Sequence, residues 1–323
     1  MLAPVEKSPA PHFAVRSPES ISLTETRALL LKATREFFEQ QGYLEVVTPT
    51  IAGATGACES VSTVFPIEYF GQRAFLIQTA QLHLEAFVFG TPKVYSINRS
   101  YRAESKVDDR RLCEFTLVEF EECNLDLEGL IDMEEAYLRY IFSRVRDRIA
   151  PQHRQAAEGP YARITYTQAV ELLQRQGHPI TWGEDLSAAH ERAITEQFGV
   201  TFVTHYPEPV KFFNMELNRE DPRVVNCCDL LLPVAGESIG GSVREWDHGL
   251  LVKRLEQSAM LKQLIERGGL RSDFDWYLEL FRGTELHRAG AGIGFERLVQ
   301  FVTGQASIKR CVEFVRDAQR LMP

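Results

Sequence analysis

The chain has 323 residues, 44% apolar and 25% charged, with a net charge of −9; that is enough to bury a large core in one main domain. The acidic balance excludes a global basic field for nucleic acid, so any polyanion must meet a local patch. Six cysteines (Cys58, Cys113, Cys123, Cys227, Cys228 and Cys311) include no CxxC pair and no histidine partners at zinc spacing, which argues for reduced thiols in a cytoplasmic protein.

Residues 1–20 are rich in proline and lack a continuous apolar stretch, so they read as a flexible N-terminal arm and not as a secretory signal. One domain is expected over 21–323. From Ser22 to Gln41, Leu29, Leu30, Ala33, Phe37 and Phe38 recur at helical spacing, and Gly42 stands where a helix would stop. A strand follows at YLEVVTPTI, another at RAFLIQ, then a helix at AQLHLEAFVFG, a strand around Val94 to Glu104, and a long helix from Glu128 to Arg148. APQHRQAAEGPYARITY has the composition of a connection. Helices are expected at Tyr166 to Gln176 and Leu186 to Phe198, strands at VKFFNMEL, VVNCCDLLLP and ESIGGSVRE, and helices over most of Leu250 to Phe281 and Glu296 to Thr303. The pattern is α+β with several hairpins, not strict βαβ alternation, and no apolar run is long enough for a bilayer.

Two stretches concentrate chemistry. In YRAESKVDDRRLCEFTLVEFEE, Arg102, Glu104, Lys106, Arg110, Arg111 and Glu114 fall within about a dozen positions, and a hairpin would hang its charged loop over the sheet. In GAGIGFERLVQF, glycines at alternate positions let a strand approach a flat ligand or a neighbouring segment, and Arg297 projects from the next helix. Alone, Gly-x-Gly-x-Gly is weak evidence for a nucleotide. Together with Phe115, Asp229 and Glu237, these residues supply an aromatic face for a base, arginines for phosphate and hard oxygens for Mg²⁺. His83 reads as a packed histidine and Cys227-Cys228 as core, whereas Arg288 and Lys211 are equally compatible with substrate contact and with a solvated rim.

These residues resemble the class II aminoacyl-tRNA synthetases. YLEVVTP after Gly42 is similar to motif 1, YRAE with RRLCEF to motif 2, and GAGIGFERL to motif 3, and the resemblance to the aspartyl/asparaginyl branch runs from about Ser20 to the end. It implies the class II catalytic fold, an antiparallel sheet flanked by helices, and a homodimer formed through motif 1. It also implies roles. Arg102 would hold the α-phosphate, Glu104 the adenine amino group, and Phe115 and Arg297 the two faces of adenine, with Arg110 on a mobile loop and Gly294 beside the nucleotide. Asp229 and Glu237 would hold Mg²⁺. Glu59 would take the α-ammonium of the amino acid, Gln81 and Glu119 would line its pocket, and Arg244 would meet its side chain.

Within the branch, Leu84 stands where aspartyl enzymes carry a lysine, Glu119 where they carry an aspartate, and WGEDLSAAHER is also asparaginyl-like. Losing the cation removes stabilisation for a second carboxylate. Ser60, Thr63, Arg111, Arg288 and Val315 depart from the pattern, and the β-barrel anticodon-binding domain expected before motif 1 is replaced by the arm. The chain therefore resembles the archaeal asparagine synthetases related to asparaginyl-tRNA synthetase. The leading reading is ATP-dependent activation of aspartate followed by amidation with ammonia. Alternatives are transfer of the adenylate to tRNA or another amine, with tRNA not favoured, and a non-catalytic amino-acid sensor. No membrane partner is expected.

Overall fold

The computed structural model describes residues 15–54 and 61–322. Helix α1 (Pro18–Gln40) starts four residues before the periodic pattern does. Ser17 caps it by accepting from the Ser20 amide at 3.1 Å, and Pro18 sits at the first turn, where its missing N–H costs nothing. Gly42, at φ +79°, lets the chain leave the helix. Motif 1 then gives only two-residue strands, β1 (Leu44–Glu45) and β2 (Ile51–Ala52), with Pro49 between them.

In chain order follow β3 (Phe65–Tyr69), β4 (Gln72–Leu76), α2 (Gln81–Phe87), β5 (Lys93–Tyr101), β6 (Glu114–Cys123), α3 (Leu127–Arg144), α4 (Arg154–Glu158), β7 (Ala162–Thr165), α5 (Tyr166–Arg175), α6 (Ala188–Phe198), β8 (Thr201–Thr204), β9 (Cys227–Leu232), β10 (Gly236–Val243), α7 (His248–Gln257), α8 (Ala259–Glu266), α9 (Asp275–Glu279), β11 (Arg288–Gly294) and α10 (Phe295–Thr303). The main sheet runs β1-β5-β6-β11-β10-β9-β8-β7, and β2-β4-β3 form a smaller one. The two outer pairs, β1 with β5 and β7 with β8, are parallel, and every other pairing is antiparallel.

The segment 150–166 is more than a connection, since it contains α4 and β7. VKFFNMEL is not a strand. Pro207 and Pro209 set up a 3-10 turn at Glu208–Val210, and only single bridges follow, Met215 with Arg244 and Leu217 with Val225. Its carbonyls have mixed partners: Arg254 donates to the oxygens of Phe212 and Met215, while the Glu245 and Asn226 amides donate to those of Asn214 and Glu216.

One face of the main sheet packs on α1, α3 and α10. Phe38 stacks on Tyr95 at 4.5 Å and Phe37 meets Tyr137 edge-on at 5.4 Å. The other face forms a cleft. Strand alternation divides the two: Val118 and Phe120 lie in the core while Leu117, Glu119 and Glu121 line the cleft, and Cys228 and Leu230 lie in the core while Asp229 lines the cleft. A bulge between Glu237 and Ile239 shifts the pairing of β10 with β9 at the mouth of this cleft.

Candidate active site

The cleft has a volume of about 720 Å³. Antiparallel β5 and β6 form the expected hairpin, closing on Tyr101 opposite Glu114, and its loop carries Arg102, Glu104 and Arg110 into the cleft beside Phe115. Asp229, Glu237, Arg244, Gly294 and Arg297 line it from β9, β10 and the β11–α10 junction, and Gln81 and Glu119 close the far end. Glu59, assigned to the α-ammonium, lies outside the described residues, as do Cys58 and Ser60.

The motif 3 glycines divide by purpose. A Cβ on Gly290 would stand 2.2 Å from the Phe120 carbonyl oxygen, so this glycine permits close strand packing. At Gly292 the nearest atom would be 3.9 Å away, on Glu119, and the bare backbone leaves cleft open for a flat ligand. Motif 3 is also tied to motif 1. Glu296 accepts from Arg27 of α1 at 3.1 Å and from the Thr116 amide of β6 at 2.9 Å, fixing the turn from which Arg297 projects.

At the nucleotide end, the Arg102 guanidinium lies 5.0 Å from the centre of the Phe115 ring. Glu104 meets Arg111 at 3.3 Å, and Arg110 meets Glu191 of α6 at 2.6 Å. Burial pushes the Glu191 carboxyl up, opposed by Arg110. Burial also lowers Arg297, with Glu191 and Glu237 opposing, and its Nη1 donates to the Ala235 carbonyl at 2.5 Å.

Lys211 is no rim charge. Its side chain is only 11% exposed, its Nζ donates to Asp229 at 2.7 Å, and it sits 4.0 Å over the Tyr206 ring. Burial works to lower the ammonium and Asp229 more than offsets that; burial in turn pushes the Asp229 carboxyl up against the pull of Lys211. Among the described residues, no group of three or more histidine, cysteine, aspartate or glutamate side chains can hold a metal ion unaided. However, Glu237 Oε1 and Asp229 Oδ1 would stand 3.4 and 3.6 Å from a single Cβ placed on Gly240, and Glu237 is exposed to the cleft. Two carboxylates over bare backbone fit Mg²⁺, which takes only one or two protein carboxylates and completes its shell with phosphate and water.

At the far end, Glu119 is buried and accepts from the Ala80 amide at 2.9 Å and from the Thr79 hydroxyl; burial pushes its carboxyl up. Arg244 is 3% exposed and donates to Glu121 at 2.6 Å through Nη2 and to Ser242 at 2.6 Å through Nη1. Behind them Arg288, also buried, pairs with Glu85, a residue that sequence reasoning did not single out. The only signal for it was an acidic residue inside the apolar helix AQLHLEAFVFG. His83 is half-buried, 5.7 Å from Trp276, and Cys227 and Cys228 are fully buried.

A hairpin arginine over an aromatic ring, a glycine-rich strand running into a helix that carries an arginine, and paired carboxylates opposite are the arrangement of a class II synthetase catalytic domain. The chain belongs to the family described as "tRNA synthetases class II (D, K and N)", whose pattern matches residues 7–318. It is 37% identical to the asparagine–tRNA ligase of Thermococcus gammatolerans over 323 aligned positions, 97% of this chain and 73% of the relative. Against the asparagine–tRNA ligase of Streptococcus pneumoniae the identity is 33%, over 97% and 72%. Among solved structures, the asparaginyl-tRNA synthetase of Pyrococcus horikoshii complexed with asparaginyl-adenylate superposes with a TM-score of 0.89 at 35% identity, covering 99% of this chain and 75% of that one. An aspartyl-tRNA synthetase from Entamoeba histolytica, 24% identical with a TM-score of 0.78, shares the fold. The protein is an ATP-dependent ligase of this class.

Proposed function

We propose that the protein forms an aminoacyl-adenylate from ATP and asparagine. The observation that carries this is the charge count at the far end of the cleft. Arg244 and Arg288 are matched there by Glu85 and Glu121, and Glu119 adds a further carboxylate with no lysine at Leu84. Among the described residues, no surplus cation is left there for a second substrate carboxylate, whereas an amide has N–H groups to give and a carbonyl to receive.

In the reaction, an α-carboxylate oxygen attacks the α-phosphorus, the bond to the bridging oxygen breaks, and pyrophosphate leaves. Arg102 and Arg297 meet the charge that develops on phosphate, and Phe115 offers its face to the base. Glu104 receives the adenine amino group once Arg111 yields it, and Arg110 closes on the triphosphate. No side chain acts as a nucleophile. Glu237 and Asp229 would hold Mg²⁺, which would neutralise phosphate charge. Gln81, Glu119 and Arg244 orient the amino acid, and Glu59 is assigned to its ammonium. A homodimer built on α1 and β1 belongs to this reading, supported by Leu29 and Leu44, which are exposed on those elements.

Aspartate activation followed by amidation with ammonia is a second reading, favoured by the raised Glu119 carboxyl. Protonated, it can donate to a second carboxylate. ATP–pyrophosphate exchange with asparagine and with aspartate, alongside mass spectrometry of mixtures containing ammonium or tRNA, decides. Exchange with asparagine alone supports the first reading. Asparagine and AMP formed from aspartate and ammonium replace it with the second, and transfer to tRNA identifies the acceptor. Absence of exchange with either amino acid returns the sensor reading.

A further inference from the structure

Beneath the amino-acid end of the cleft lies a buried ion pair that has counted so far only as balanced charge, with no role toward the substrate. Arg288, at the start of β11, and Glu85, on α2, are both completely buried. Arg288 Nε donates to Glu85 Oε2 at 2.9 Å, and Nη2 donates to the same oxygen and to the Glu245 carbonyl at 3.2 Å. Nη1 donates to the Leu286 carbonyl at 3.1 Å, and the guanidinium lies 4.1 Å from the Phe281 ring. Glu85 also accepts from the Tyr277 hydroxyl at 2.8 Å, from Asn214 Nδ2 at 3.3 Å and from Gln81 Nε2 at 2.8 Å.

Gln81 lines the cleft, whereas Glu85 and Arg288 stand behind its wall. Burial works to raise the Glu85 carboxyl, and Arg288 followed by Arg244 more than offsets it, so Glu85 stays ionised. The two pairs are joined through the backbone, since the Arg244 amide donates to the Arg288 carbonyl at 2.9 Å. A buried carboxylate takes the nearest cation. Arg288 occupies Glu85, Glu121 takes the Nε and Nη2 of Arg244, and Glu85 in turn accepts from the Gln81 amide.

We infer that Arg288 is a positioning residue for amino-acid selection, setting the orientation of Gln81 and the partner of Arg244 without touching substrate. This rests on the reading that the far end of the cleft takes the amino acid. It predicts that disturbing the pair weakens amino-acid binding and spares ATP, whereas a purely structural role would affect both alike.

The experiment is ATP–pyrophosphate exchange with separate titrations of asparagine and ATP, plus thermal melting, on the wild type, Arg288→Lys and the double variant Glu85→Gln/Arg288→Met. The double variant removes both buried charges, and so avoids leaving one unpaired. We expect it to fold, with KM for asparagine raised about tenfold, the scale of one lost hydrogen bond to a charged group, and KM for ATP within about twofold of the wild type. Arg288→Lys restores part of the affinity, because it keeps the charge and loses the fork. Folded variants with unchanged KM values, equal rises in both, or unfolding of both variants would overturn the inference alone. A wild type without exchange for asparagine or aspartate would remove the functional reading, and the inference with it.

Discussion

Arg110 and Glu191 meet at 2.6 Å across the mouth of the cleft, joining the motif 2 loop to helix α6. The arginine assigned to the triphosphate is therefore held by a carboxylate that the triphosphate must displace. Glu191→Gln removes that competitor and a buried charge next to phosphate. A partly buried pair of this kind contributes on the order of 1 kcal/mol, so KM for ATP should fall about three- to fivefold, with KM for the amino acid unchanged. Pyrophosphate exchange across an ATP titration checks this.

Gly236 lies against the same latch. Its φ of +73° disfavours any side chain, and a Cβ would stand 2.2 Å from Glu191 Oε2 and 2.7 Å from Arg110 Nη2. Gly236→Ala should cost about 1–3 kcal/mol of stability and push the two side chains apart. Chemical denaturation measures the first effect. A changed KM for ATP reports the second.

Arg102→Ala should lower exchange by about a thousandfold, the loss typical of a donor aimed at developing charge. Its backbone amide still donates to the Cys113 carbonyl at 2.9 Å, so the hairpin keeps its closure and the fold survives. Exchange kinetics beside a melting curve separate the two. Unaltered activity would show that the phosphate is held elsewhere.

Much of this site was legible because its parts are local. Arg102, Glu104, Arg110 and Phe115 belong to one hairpin, and Gly294 and Arg297 to one strand-to-helix junction. What escaped depends on distant partners. Arg288 looked like a possible rim charge because nothing near it in sequence neutralises it; its carboxylate, Glu85, is 203 positions away. Lys211 finds Asp229 eighteen positions on, across a turn that only the fold closes. The strand β8 is four buried residues without alternation, too short for a period-2 signal. VKFFNMEL carried strand-forming residues, but it forms only isolated bridges, and two of its carbonyls accept from the distant Arg254.

Glu134 gives a pH prediction. Burial holds its carboxyl well above the ordinary 4.5, and Oε2 has no hydrogen-bond partner among the described residues. An acid raised in the folded state contributes fully below about 4.5 and loses that contribution as pH rises toward the folded value, because the unfolded chain gives up its proton first. Glu134→Gln should therefore match the wild type near pH 4 and become increasingly more stable than it as pH rises above the ordinary carboxylate range. Denaturation at a series of pH values measures the widening gap.

The run Cys227, Cys228, Asp229 places a thiol against the helices and a carboxylate in the cleft on consecutive residues. Inserting or deleting one residue in such a strand would exchange the two, putting an acid into the greasy interior and a sulfur into the reaction chamber. Length changes in the strands that build the chamber are thus tolerated only where a bulge absorbs the extra residue, as between Glu237 and Ile239. Any drift toward a new amino acid or acceptor must proceed by substitution in place, or by remodelling the turns between strands.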